Sequence, residues 1–593
     1  MRLVTEINAF LLMNGYKLIP YGISDFAQLR RENKYYTDKT MYLPRMEMAG
    51  NFLFLIRPRR FGKSLFMSMM QCYYDINRKD DFRELFDGLW IAENPTPLQG
   101  QFEVLRLDFS QVCGNLETLE RDFDEYMSVA LDVFAWSYAD LYPEGFVDNV
   151  KSYDNYRGKM KYINDISNRL GHKKYLIIDE YDNFTNNVLN EKGEAVYHAL
   201  THASGFYRDV FKLFKGNFDR ILMVGVSSVT LDDVTSGYNI ALNITMDPRF
   251  NMMLGFSETE VREMIRYYQS VGAVTADEET LVQEMKPWYD NYCFSEDSIF
   301  SDPKLFNSDM VLYYMQNIIA FGKAPKNMVD NNTRTDYMKM NKLLQLDKLE
   351  KVETPNGVRR GILYKIAQDG EIRENVNLSF PAYRMADKEN FVSLLFFYGM
   401  LTIGEPDGAE PRLIIPNNNV RLQYYDYLLR AYQEIAYIDI SNLNKTYNDA
   451  ALRGNWEPMV QALADAYDRT TSVRQLIEGE HNLQGFMNAY LSLNPYYFVA
   501  PEMELAHGYC DFFLMPNLLR WPMVKHSFIL ELKYLKTDAT DAEAAAQWRD
   551  AEAQIRRYAA APKVRQMTEG TALHPVVMQF RGYKMTRFAE VEL

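Results

Sequence analysis

Cysteine is scarce, and its placement restricts the kinds of site that the chain can build. The 593 residues include four cysteines, no two of which form a C-x-x-C pair: Cys72, Cys113, Cys293 and Cys510. A disulfide framework or a structural zinc site needs closer, paired cysteines. We therefore expect neither, and we expect the protein to reside in the reducing cytoplasm.

Long apolar runs are also missing. No stretch of about 18 apolar residues occurs, so we expect no membrane span and no membrane partner. Glu6 and Asn8 interrupt the short apolar patch at the start, which does not form a secretory signal. Hydrophobic residues make up 47% of the chain and charged residues 24%, which is typical of globular proteins. The length predicts two to four domains.

The chain also lacks an excess of basic residues, because its formal net charge is -15. This charge excludes a molecule covered with nucleic-acid-binding surface, so any such surface must be local. Residues 57–63 contain four basic residues and no acidic one. Residues 525–587 contain eleven Lys and Arg against seven Asp and Glu. The second stretch could accept a polyanion such as a nucleic acid.

The first basic stretch lies in a strand–loop–helix pattern. The apolar run LFLI at 53–56 predicts a buried strand, and GKS at 62–64 opens a helical pattern. A loop in this position binds phosphate through backbone N–H groups and a helix N-terminus, as in a P-loop. Lys63 adds a point charge, and Ser64 can hold Mg²⁺. Arg57 replaces the usual first glycine of G-x-x-x-x-G-K-[ST], so the motif alone is degenerate.

A strand with an acidic end follows further along the chain. YLII at 175–178 predicts a strand buried on both faces, as in parallel sheets, and Asp179 and Glu180 follow it directly. Ligands of open parallel sheets lie at the carboxyl ends of the strands, so we expect both carboxylates beside the loop. Asp179 would hold Mg²⁺, and Glu180 would polarise the water that attacks the γ-phosphate. An exposed acidic turn after a core strand is the alternative.

Further strands complete the predicted sheet. Residues 104–110, 221–228 and 240–245 read as strands. Ser227, at the end of the second of these, is the candidate contact to the γ-phosphate, although its neighbour Ser228 could equally cap a helix or turn. The residues predicted to bind ATP are Arg59, Arg60, Phe61, Gly62, Lys63, Ser64, Leu65, Asp179 and Ser227.

A capping-box pattern at residues 254–260 predicts the start of a helical lid. Arg249, shortly before it, is the nearest arginine that could complete a neighbouring copy's site in a homo-oligomer, although surface arginines are common. Residues 310–460 read as helices with β-like interruptions at 361–366 and 401–416. Nothing catalytic stands out there, so we interpret this region as lid and connector.

Several blocks of the sequence resemble one known family. YGISDF at 21–26, LRRENKYYTDKT at 29–40 and RPRRFGKS at 57–64 are similar to the predicted AAA-ATPase family, found largely in bacteria. Arg57 in place of glycine is part of that family's own pattern. The resemblance implies a P-loop ATPase, and members commonly carry a PD-(D/E)XK nuclease-like domain at the C-terminus.

An aromatic block extends the resemblance. WYDNYCF at 288–294 and LFNSD at 305–309 resemble the family's W-Y-D-G-Y block and the asparagine that follows it. Asn291 stands where the family usually has glycine, and Asn tolerates a left-handed backbone better than most residues. We interpret the block as core packing and not as chemistry.

A second set of reactive residues lies near the C-terminus. Residues 507–517 and 527–534 predict two strands of a hairpin. Side chains alternate along a strand, so Glu531 and Lys533 share a face, and Asp511 on the partner strand would converge with them. Carboxylates suit Mg²⁺ or Mn²⁺, and the lysine could orient a water or neutralise a phosphate. An ordinary ion pair at a sheet edge is the alternative.

This D…E-x-K arrangement resembles the core of PD-(D/E)XK phosphodiesterases. QIRRY at 554–558, on a predicted helix 544–558, matches a pattern of the family. The resemblance implies a metal-dependent nuclease that Gln554 steadies from a neighbouring turn, although an ordinary exposed glutamine is as common. The catalytic candidates are Glu180, Asp511, Glu531, Lys533 and Gln554, and the candidate metal ligands are Ser64, Asp179, Asp511 and Glu531.

These observations predict an α/β protein with a P-loop NTPase parallel sheet, a helical lid and connector, and a C-terminal α/β PD-(D/E)XK nuclease-like domain. The predicted domains are residues 1–255, 256–460 and 461–593. The predicted function is ATP binding and hydrolysis, coupled to metal-dependent cleavage of DNA or RNA, with nucleotide state gating access to the nuclease site. The alternative is a nucleotide-dependent switch or scaffold whose inactive nuclease-like domain only binds nucleic acid or a protein partner.

Overall fold

The computed structural model divides the chain into two compact units. Described residues within 1–322, 327–350 and 372–417 form the first unit, and those within 323–326, 351–371 and 418–593 the second. The described residues are 16–112, 118–182, 206, 209–227, 241–325, 327–330, 352–353, 359–380, 384–385, 387–407, 411–424, 440–469, 480–505, 508–518 and 520–593.

Strands and helices alternate through most of the chain. The strands are β1 Phe52–Ile56, β2 Phe102–Asp108, β3 Lys173–Asp179, β4 Arg220–Gly225, β5 Leu242–Asn243, β6 Phe256–Ser257, β7 Leu305–Phe306, β8 Val352–Glu353, β9 Arg359–Arg360, β10 Glu371–Arg373, β11 Thr402–Ile403, β12 Arg412–Ile414, β13 Tyr497–Leu505, β14 Gly508–Pro516, β15 His526–Leu535, β16 Ala572–Arg581 and β17 Lys584–Glu590. The helices are α1 Phe26–Arg31, α2 Tyr42–Ala49, α3 Lys63–Tyr74, α4 Phe82–Phe86, α5 Trp90–Glu93, α6 Leu119–Ser137, α7 Phe146–Lys151, α8 Tyr156–Leu170, α9 Glu258–Ser270, α10 Glu278–Tyr289, α11 Ser308–Phe321, α12 Ile362–Asp369, α13 Lys388–Phe397, α14 Ile440–Arg453, α15 Glu457–Arg469, α16 Glu480–Leu491, α17 Asp541–Ala559 and α18 Pro562–Met567.

A parallel sheet forms the centre of the first unit. Its five strands lie in the order β2-β3-β4-β1-β5, and every neighbouring pair is parallel. Strand β3 is buried from Lys174 to Asp179, as expected of a parallel strand covered on both faces. Because the strands run in the same direction, the carboxyl ends of β1, β3 and β4 lie at one edge. The predicted parallel sheet is confirmed.

The last predicted strand of this sheet is shorter than expected. Residues 240–245 were predicted as a strand, yet among the described residues pairing with β1 is confined to Leu242 and Asn243. The side chain of Asn243 accepts a hydrogen bond from the backbone N–H of Thr245 at 3.0 Å, which turns the chain out of the strand. The capping box is confirmed, because Ser257 and Glu260 cap the start of α9 reciprocally.

One connector element differs in type from the prediction. Residues 361–366, predicted as a β-like interruption, form the N-cap Gly361 and the first turns of α12. Its buried residues follow helical spacing, at Ile362, Leu363, Ile366 and Ala367. Short apolar runs of this kind fit strand and helix patterns equally well, which explains the error. The second interruption is confirmed, since β11 and β12 pair antiparallel.

A mixed sheet forms the centre of the second unit. Its order is β13-β14-β15-β16-β17, and all neighbouring pairs are antiparallel except β15 and β16, which are parallel. Helix α17 makes the crossover that this parallel pair requires. The predicted hairpin is confirmed as β14 and β15. Strand β17 closes the sheet and is mostly exposed, so it has no apolar run that would predict it from the sequence.

The core of the second unit lies between this sheet and α17. Trp548 and Ile555 on the helix belong to one buried cluster with Phe513, Ile529 and Val577 of three neighbouring strands. Fully burying side chains of this size contributes about 2 kcal/mol each, so this packing fixes the helix on the sheet.

No helix within the described ranges is both long and apolar enough to cross a membrane.

Candidate functional site

The first candidate site lies at the carboxyl edge of the parallel sheet. The loop site, as we call it, combines the loop between β1 and α3 with polar residues that follow β3 and β4: residues 57–65, Asp179, Glu180 and Ser227. The loop turns at Gly62, whose φ of 88° favours glycine, and α3 begins at the next residue. The hydroxyl of Ser64 donates a 2.8 Å hydrogen bond to Oδ2 of Asp179. The sheet therefore brings the predicted loop and the predicted acidic strand end together.

The lysine of the loop is held by backbone oxygens. The Nζ of Lys63 donates to the carbonyls of Arg57 at 3.0 Å and of Pro58 at 2.8 Å. Burial lowers the pKa of Lys63 to about 8, and the nearby carboxylates of Asp179 and Asp182 oppose this shift. Carbonyl groups are neutral acceptors, so a charged phosphate oxygen would be the stronger partner for this ammonium.

The carboxylate of Asp179 is buried and uses both of its oxygens. Oδ2 accepts from Ser64, and Oδ1 accepts from the backbone N–H of Glu180 at 3.0 Å. Burial raises the pKa of Asp179, whereas the Ser64 hydroxyl and Lys63 lower it. A hydroxyl and a carboxylate are ligands that Mg²⁺ prefers, usually with several waters retained, so this pair fits that cation.

Two further predicted residues follow the neighbouring strand ends. Glu180 is half-buried and has a φ of 49°, a left-handed conformation that is uncommon for a residue with a side chain. Ser227 is buried, and its carbonyl accepts a 2.5 Å hydrogen bond from the hydroxyl of Tyr181. This bond links the segment after β3 to the segment after β4, which keeps Ser227 at the same edge of the sheet.

Arg57 is a structural residue of the loop. Its guanidinium is completely buried and donates to the carbonyls of Thr245 at 2.5 Å and Phe250 at 3.0 Å. The cation also lies 4.3 Å from the ring centre of Phe294. Burial lowers the pKa of Arg57 to about 9. The residue that replaces the usual glycine thus ties the end of β1 to the chain that follows β5.

The middle of the loop presents its side chains in several directions. Arg59 is exposed and Leu65 is half-buried. The ring of Phe61 is buried against Tyr292 and Phe294, with centroid distances of 4.9 and 5.4 Å, so only its backbone can serve a phosphate.

Arg60 has a φ of 66°, and its Nη1 lies 2.5 Å from Oδ2 of Asp309. Arg249, the candidate to complete a neighbouring site, pairs with Asp247 at 2.5 Å on the surface.

The second candidate site lies in the mixed sheet. The strand site, as we call it, is formed by polar side chains of α16, β14, β15 and α17: Gln484, Asp511, Glu531, Lys533 and Gln554. Asp511 accepts from the backbone N–H of Leu532 at 2.6 Å and from Nε2 of Gln484 at 2.8 Å. These two bonds fix the carboxylate of β14 against β15, where the hairpin prediction placed it.

The glutamate and lysine of the strand site are hydrogen-bonded to each other. Nζ of Lys533 donates to Oε1 of Glu531 at 2.7 Å and to Oε1 of Gln554 at 3.2 Å. Gln554 in turn donates to the hydroxyl of Tyr558 at 2.7 Å. Burial, and then the charge of Asp511, raises the pKa of Glu531 to about 7, while Lys533 opposes the shift. Glu531, Lys533 and Gln554 therefore form one hydrogen-bond network, and the charge of Asp511 acts on its glutamate.

The strand site fits a divalent cation in one specific respect. Glu531 is completely buried, and its Oε2 has no hydrogen-bond partner among the described residues. A buried carboxylate oxygen without a partner is costly unless a cation or water occupies its neighbourhood. No group of three or more His, Cys, Asp and Glu side chains suited to a metal occurs in the described ranges. Mg²⁺ needs only one or two carboxylates when waters and substrate phosphates complete its shell.

Three residues of these sites were missed by the sequence analysis. Arg106 of β2 donates to the carbonyl of Ser64 at 3.4 Å, and the carboxylate of Asp182 accepts from the backbone N–H of Val226. Asp182 follows the acidic strand end and could have been found there. Gln484 lies on α16, but nothing in the local sequence indicates that it contacts Asp511.

Two protein-family models match the stretches of chain that contain the two sites. Residues 20–235, which include the loop site up to Ser227, match the family described as predicted AAA-ATPase. Residues 478–590, which include the whole strand site, match the PD-(D/E)XK nuclease superfamily. The chain carries a predicted AAA-ATPase domain and a PD-(D/E)XK nuclease-superfamily domain. The resemblance stated from the motifs is thereby confirmed.

A curated relative of the chain comes from Azotobacter chroococcum mcd 1. It is named "Uncharacterized protein in vnfD 5'region" and is 24% identical over 292 residues. The aligned part covers 48% of this chain and 50% of the relative, so the chain spans about half the length of that protein. The name of the relative assigns no activity to either protein.

Proposed function

We propose that the AAA-ATPase domain binds ATP with Mg²⁺ at the loop site and hydrolyses it. The observation that carries this proposal is the 2.8 Å contact between Ser64 and Asp179, with Lys63 adjacent. Ser64 and Asp179 would hold the cation, which neutralises phosphate charge when bound. Lys63 and the backbone N–H groups of residues 59–65 would bind the phosphates. Glu180 would orient the attacking water, and Ser227 would contact the γ-phosphate.

We propose further that the PD-(D/E)XK domain cleaves phosphodiester bonds in DNA or RNA. The observation that supports it is Oε2 of Glu531, close to Asp511, which has no hydrogen-bond partner in the part of the chain that the structure describes. These two carboxylates would hold Mg²⁺ or Mn²⁺, which lowers the pKa of a water when bound. Lys533 would orient that water or neutralise the phosphate, and Gln554 would hold the lysine in place.

Nucleotide turnover by purified protein tests the ATPase proposal. Lys63→Ala should abolish turnover, because a lysine at this position of a phosphate-binding loop supplies a positive charge to the phosphates. Lys79→Ala, an exposed lysine beyond the end of α3, is the matched control and should retain wild-type turnover. Equal turnover by wild type and Lys63→Ala would reject the proposed site.

Incubation with single- and double-stranded DNA and RNA tests the nuclease proposal. Cleavage should require Mg²⁺ or Mn²⁺ and should disappear in Asp511→Ala. Equal cleavage by this variant and wild type would count against the assignment. The same incubations with and without ATP test the proposed coupling, in which nucleotide state gates access to the strand site.

A binding-only function is the second candidate. It is favoured by the finding that the described ranges contain no cluster of three metal-binding side chains. Calorimetric titration with Mn²⁺ separates the two candidates. Binding by wild type that is lost in Glu531→Gln supports a nuclease, whereas no binding and no cleavage support a nucleotide-dependent switch or scaffold.

Location and assembly are part of the same proposal. We propose a cytoplasmic location. Cys72 and Cys293 are buried thiols outside any disulfide, as a reducing compartment allows, and Cys510 is buried as well. Cys113 lies outside the described residues. A homo-oligomer in which Arg249 reaches a second copy's nucleotide is tested by sedimentation with and without ATP. An Arg249→Ala variant that assembles but turns ATP over normally would exclude that role.

A further inference from the structure

The phosphate-binding loop is held from outside by the start of α11. The carbonyl oxygen of Arg60 accepts a hydrogen bond from the hydroxyl of Ser308 at 3.2 Å and from the backbone N–H of Asp309 at 3.3 Å. Asn307 caps this helix, so both donors lie in its first turn. Residues almost 250 positions apart therefore meet at the tip of the loop.

The side chain of Arg60 strengthens the same contact. Its Nη1 lies 2.5 Å from Oδ2 of Asp309 and 3.7 Å from Oδ2 of Asp330. Asp330 also accepts a hydrogen bond from the hydroxyl of Tyr21. Arg60 is thus bound to the first turn of α11 through its carbonyl and its guanidinium together, which is a stronger tether than either contact alone.

A second anchor acts on the next peptide. The backbone N–H of Gly255 donates to the carbonyl of Phe61 at 3.2 Å. Gly255 has a φ of 84°, and a Cβ atom there would lie 3.0 Å from both the carbonyl of Phe306 and the ring of Phe61. Only glycine fits this position without displacing the loop or β7.

Because the peptide bond is planar, fixing the direction of these two carbonyls also fixes the direction of the N–H groups that follow them. In a trans peptide the carbonyl and the following N–H point in opposite directions. When the Arg60 carbonyl points to α11, the N–H of Phe61 points the other way. The Phe61 carbonyl, held by Gly255, orients the N–H of Gly62 in the same manner. These are two of the donors that a phosphate-binding loop uses.

We propose that Ser308, Asp309 and Gly255 are positioning residues of the nucleotide site. They hold the loop's carbonyls outward so that its N–H groups are set for phosphate before the nucleotide arrives. The inference rests on the proposed ATPase function and adds to it a route of regulation. The coupling is reciprocal. The contact with α11 favours nucleotide binding by a certain free energy, and bound nucleotide stabilises the start of α11 by the same free energy.

The proposal predicts which nucleotides are affected. Backbone N–H groups in the loop serve phosphates common to ATP and ADP, so loss of positioning should weaken both to the same extent. A residue that contacts only the γ-phosphate would affect ATP alone. This difference separates positioning by Asp309 from direct contact with the terminal phosphate.

The test measures the affinity of the full-length protein for MgATP and MgADP in wild type and four variants. Asp309→Ala should weaken both nucleotides about ten-fold, a typical loss for a charge-assisted hydrogen bond. Asp309→Asn should recover part of the affinity, and Ser308→Ala should weaken both about three-fold. Asp132→Ala is the matched control, because Asp132 pairs with Lys159 at 2.7 Å in the same unit and should leave affinity unchanged.

Hydrogen exchange provides a readout on the helix itself. MgADP should slow amide exchange at residues 309–313 in wild type and should do so less in Ser308→Ala. This measurement needs no folded Asp309→Ala, so it decides the matter if that variant does not fold. Unchanged exchange at these amides in wild type saturated with MgADP would overturn the proposal.

The outcomes separate this proposal from the one on which it rests. Failure of wild type to bind any nucleotide rejects the ATPase function. Normal binding by wild type, loss in Lys63→Ala and wild-type affinity in the Asp309 and Ser308 variants reject only the positioning role. A loss for MgATP alone also overturns it, since that result assigns Asp309 to the γ-phosphate.

Discussion

The two candidate sites each hold a lysine that is shielded from water, but they use it in opposite ways. At the loop site, Lys63 donates to the carbonyls of Arg57 and Pro58, which carry no net charge. At the strand site, Lys533 donates directly to the carboxylate of Glu531 at 2.7 Å. Both lysines are largely shielded from water, so the nature of the acceptor determines what each can do next.

This difference indicates which ligand each site is prepared for. A carbonyl is a weaker partner than a phosphate for an ammonium, so an anion can draw Lys63 away at little cost. Lys533 already favours the ionised form of the Glu531 carboxylate, so in the proposed nuclease the remaining oxygen of this carboxylate would be left for a cation. The comparison yields four predictions, in order of decreasing effect.

Removing the strand-site lysine should have the largest effect. Lys533→Met should reduce cleavage on the order of a thousandfold, as loss of a group that stabilises transition-state charge does. Because Lys533 lowers the pKa of Glu531, its loss should raise that pKa above about 7 and move the acidic limb of the pH–rate profile to higher pH. Lys536→Met, an exposed lysine just after β15, is the control. An unshifted profile would contradict the role assigned to the ion pair.

Removing the arginine that supports the loop site should act mainly on stability. Arg57→Ala leaves the carbonyls of Thr245 and Phe250 without their buried donor, so unfolding should become easier by about 3 kcal/mol. Arg59→Ala, two residues away on the surface, should change the free energy of unfolding by less than about 0.5 kcal/mol. Chemical denaturation measures both. Equal stability of the two variants would show that Arg57 is not a structural support.

A glycine that packs on the loop offers a smaller and cleaner test. Gly399 has a φ of 74°, and a Cβ there would lie 2.8 Å from Cβ of Pro58. Gly399→Ala should therefore cost about 2 kcal/mol, part from backbone strain and part from the clash. Gly272→Ala has a similar φ of 72° and nothing within 4 Å, so it reports the strain alone. Matching losses of stability in the two variants would show that the contact with Pro58 does not matter.

The smallest expected effect is a change of a few degrees in the melting midpoint, which depends on pH through Glu531 of the strand site. The pKa of Glu531 is raised from 4.5 to about 7, so its contribution to stability is complete below pH 4.5 and is lost as pH rises to about 7. Glu531→Gln should remove this loss of stability between pH 4.5 and pH 7. In wild type, Mn²⁺ should raise the melting midpoint by about 3 °C more at pH 8 than at pH 6. Scanning calorimetry of the full chain measures both. A metal effect that persists in Glu531→Gln would place the cation elsewhere.

The strand site was easier to predict from sequence than the loop site. Glu531 and Lys533 are two residues apart on one strand, and alternation fixes them on one face. Asp511 enters through a hairpin, which is a short-range structure. Gln484 was missed because a glutamine on a helix face carries no signal of what it contacts.

The loop site required a rule about topology as well as a local pattern. The contact of Ser64 with Asp179 followed from the expectation that parallel strands end at one edge. The function of Arg57 could not be predicted, because the carbonyls that it binds belong to a turn whose path is set by packing. The anchors at Ser308 and Asp309 were missed for the same reason, since no local pattern links a helix start to a distant loop.

The burial of Phe61 has a consequence for genetics. Its ring lies against Tyr292 and Phe294, and the second of these also faces Arg57. If variants from random mutagenesis are screened for loss of nucleotide binding, substitutions at positions 292 and 294 should therefore be found among them. Many of these variants should be temperature-sensitive. A mapping study that viewed only the primary structure would assign those alleles to a separate functional region, although they report on the same loop.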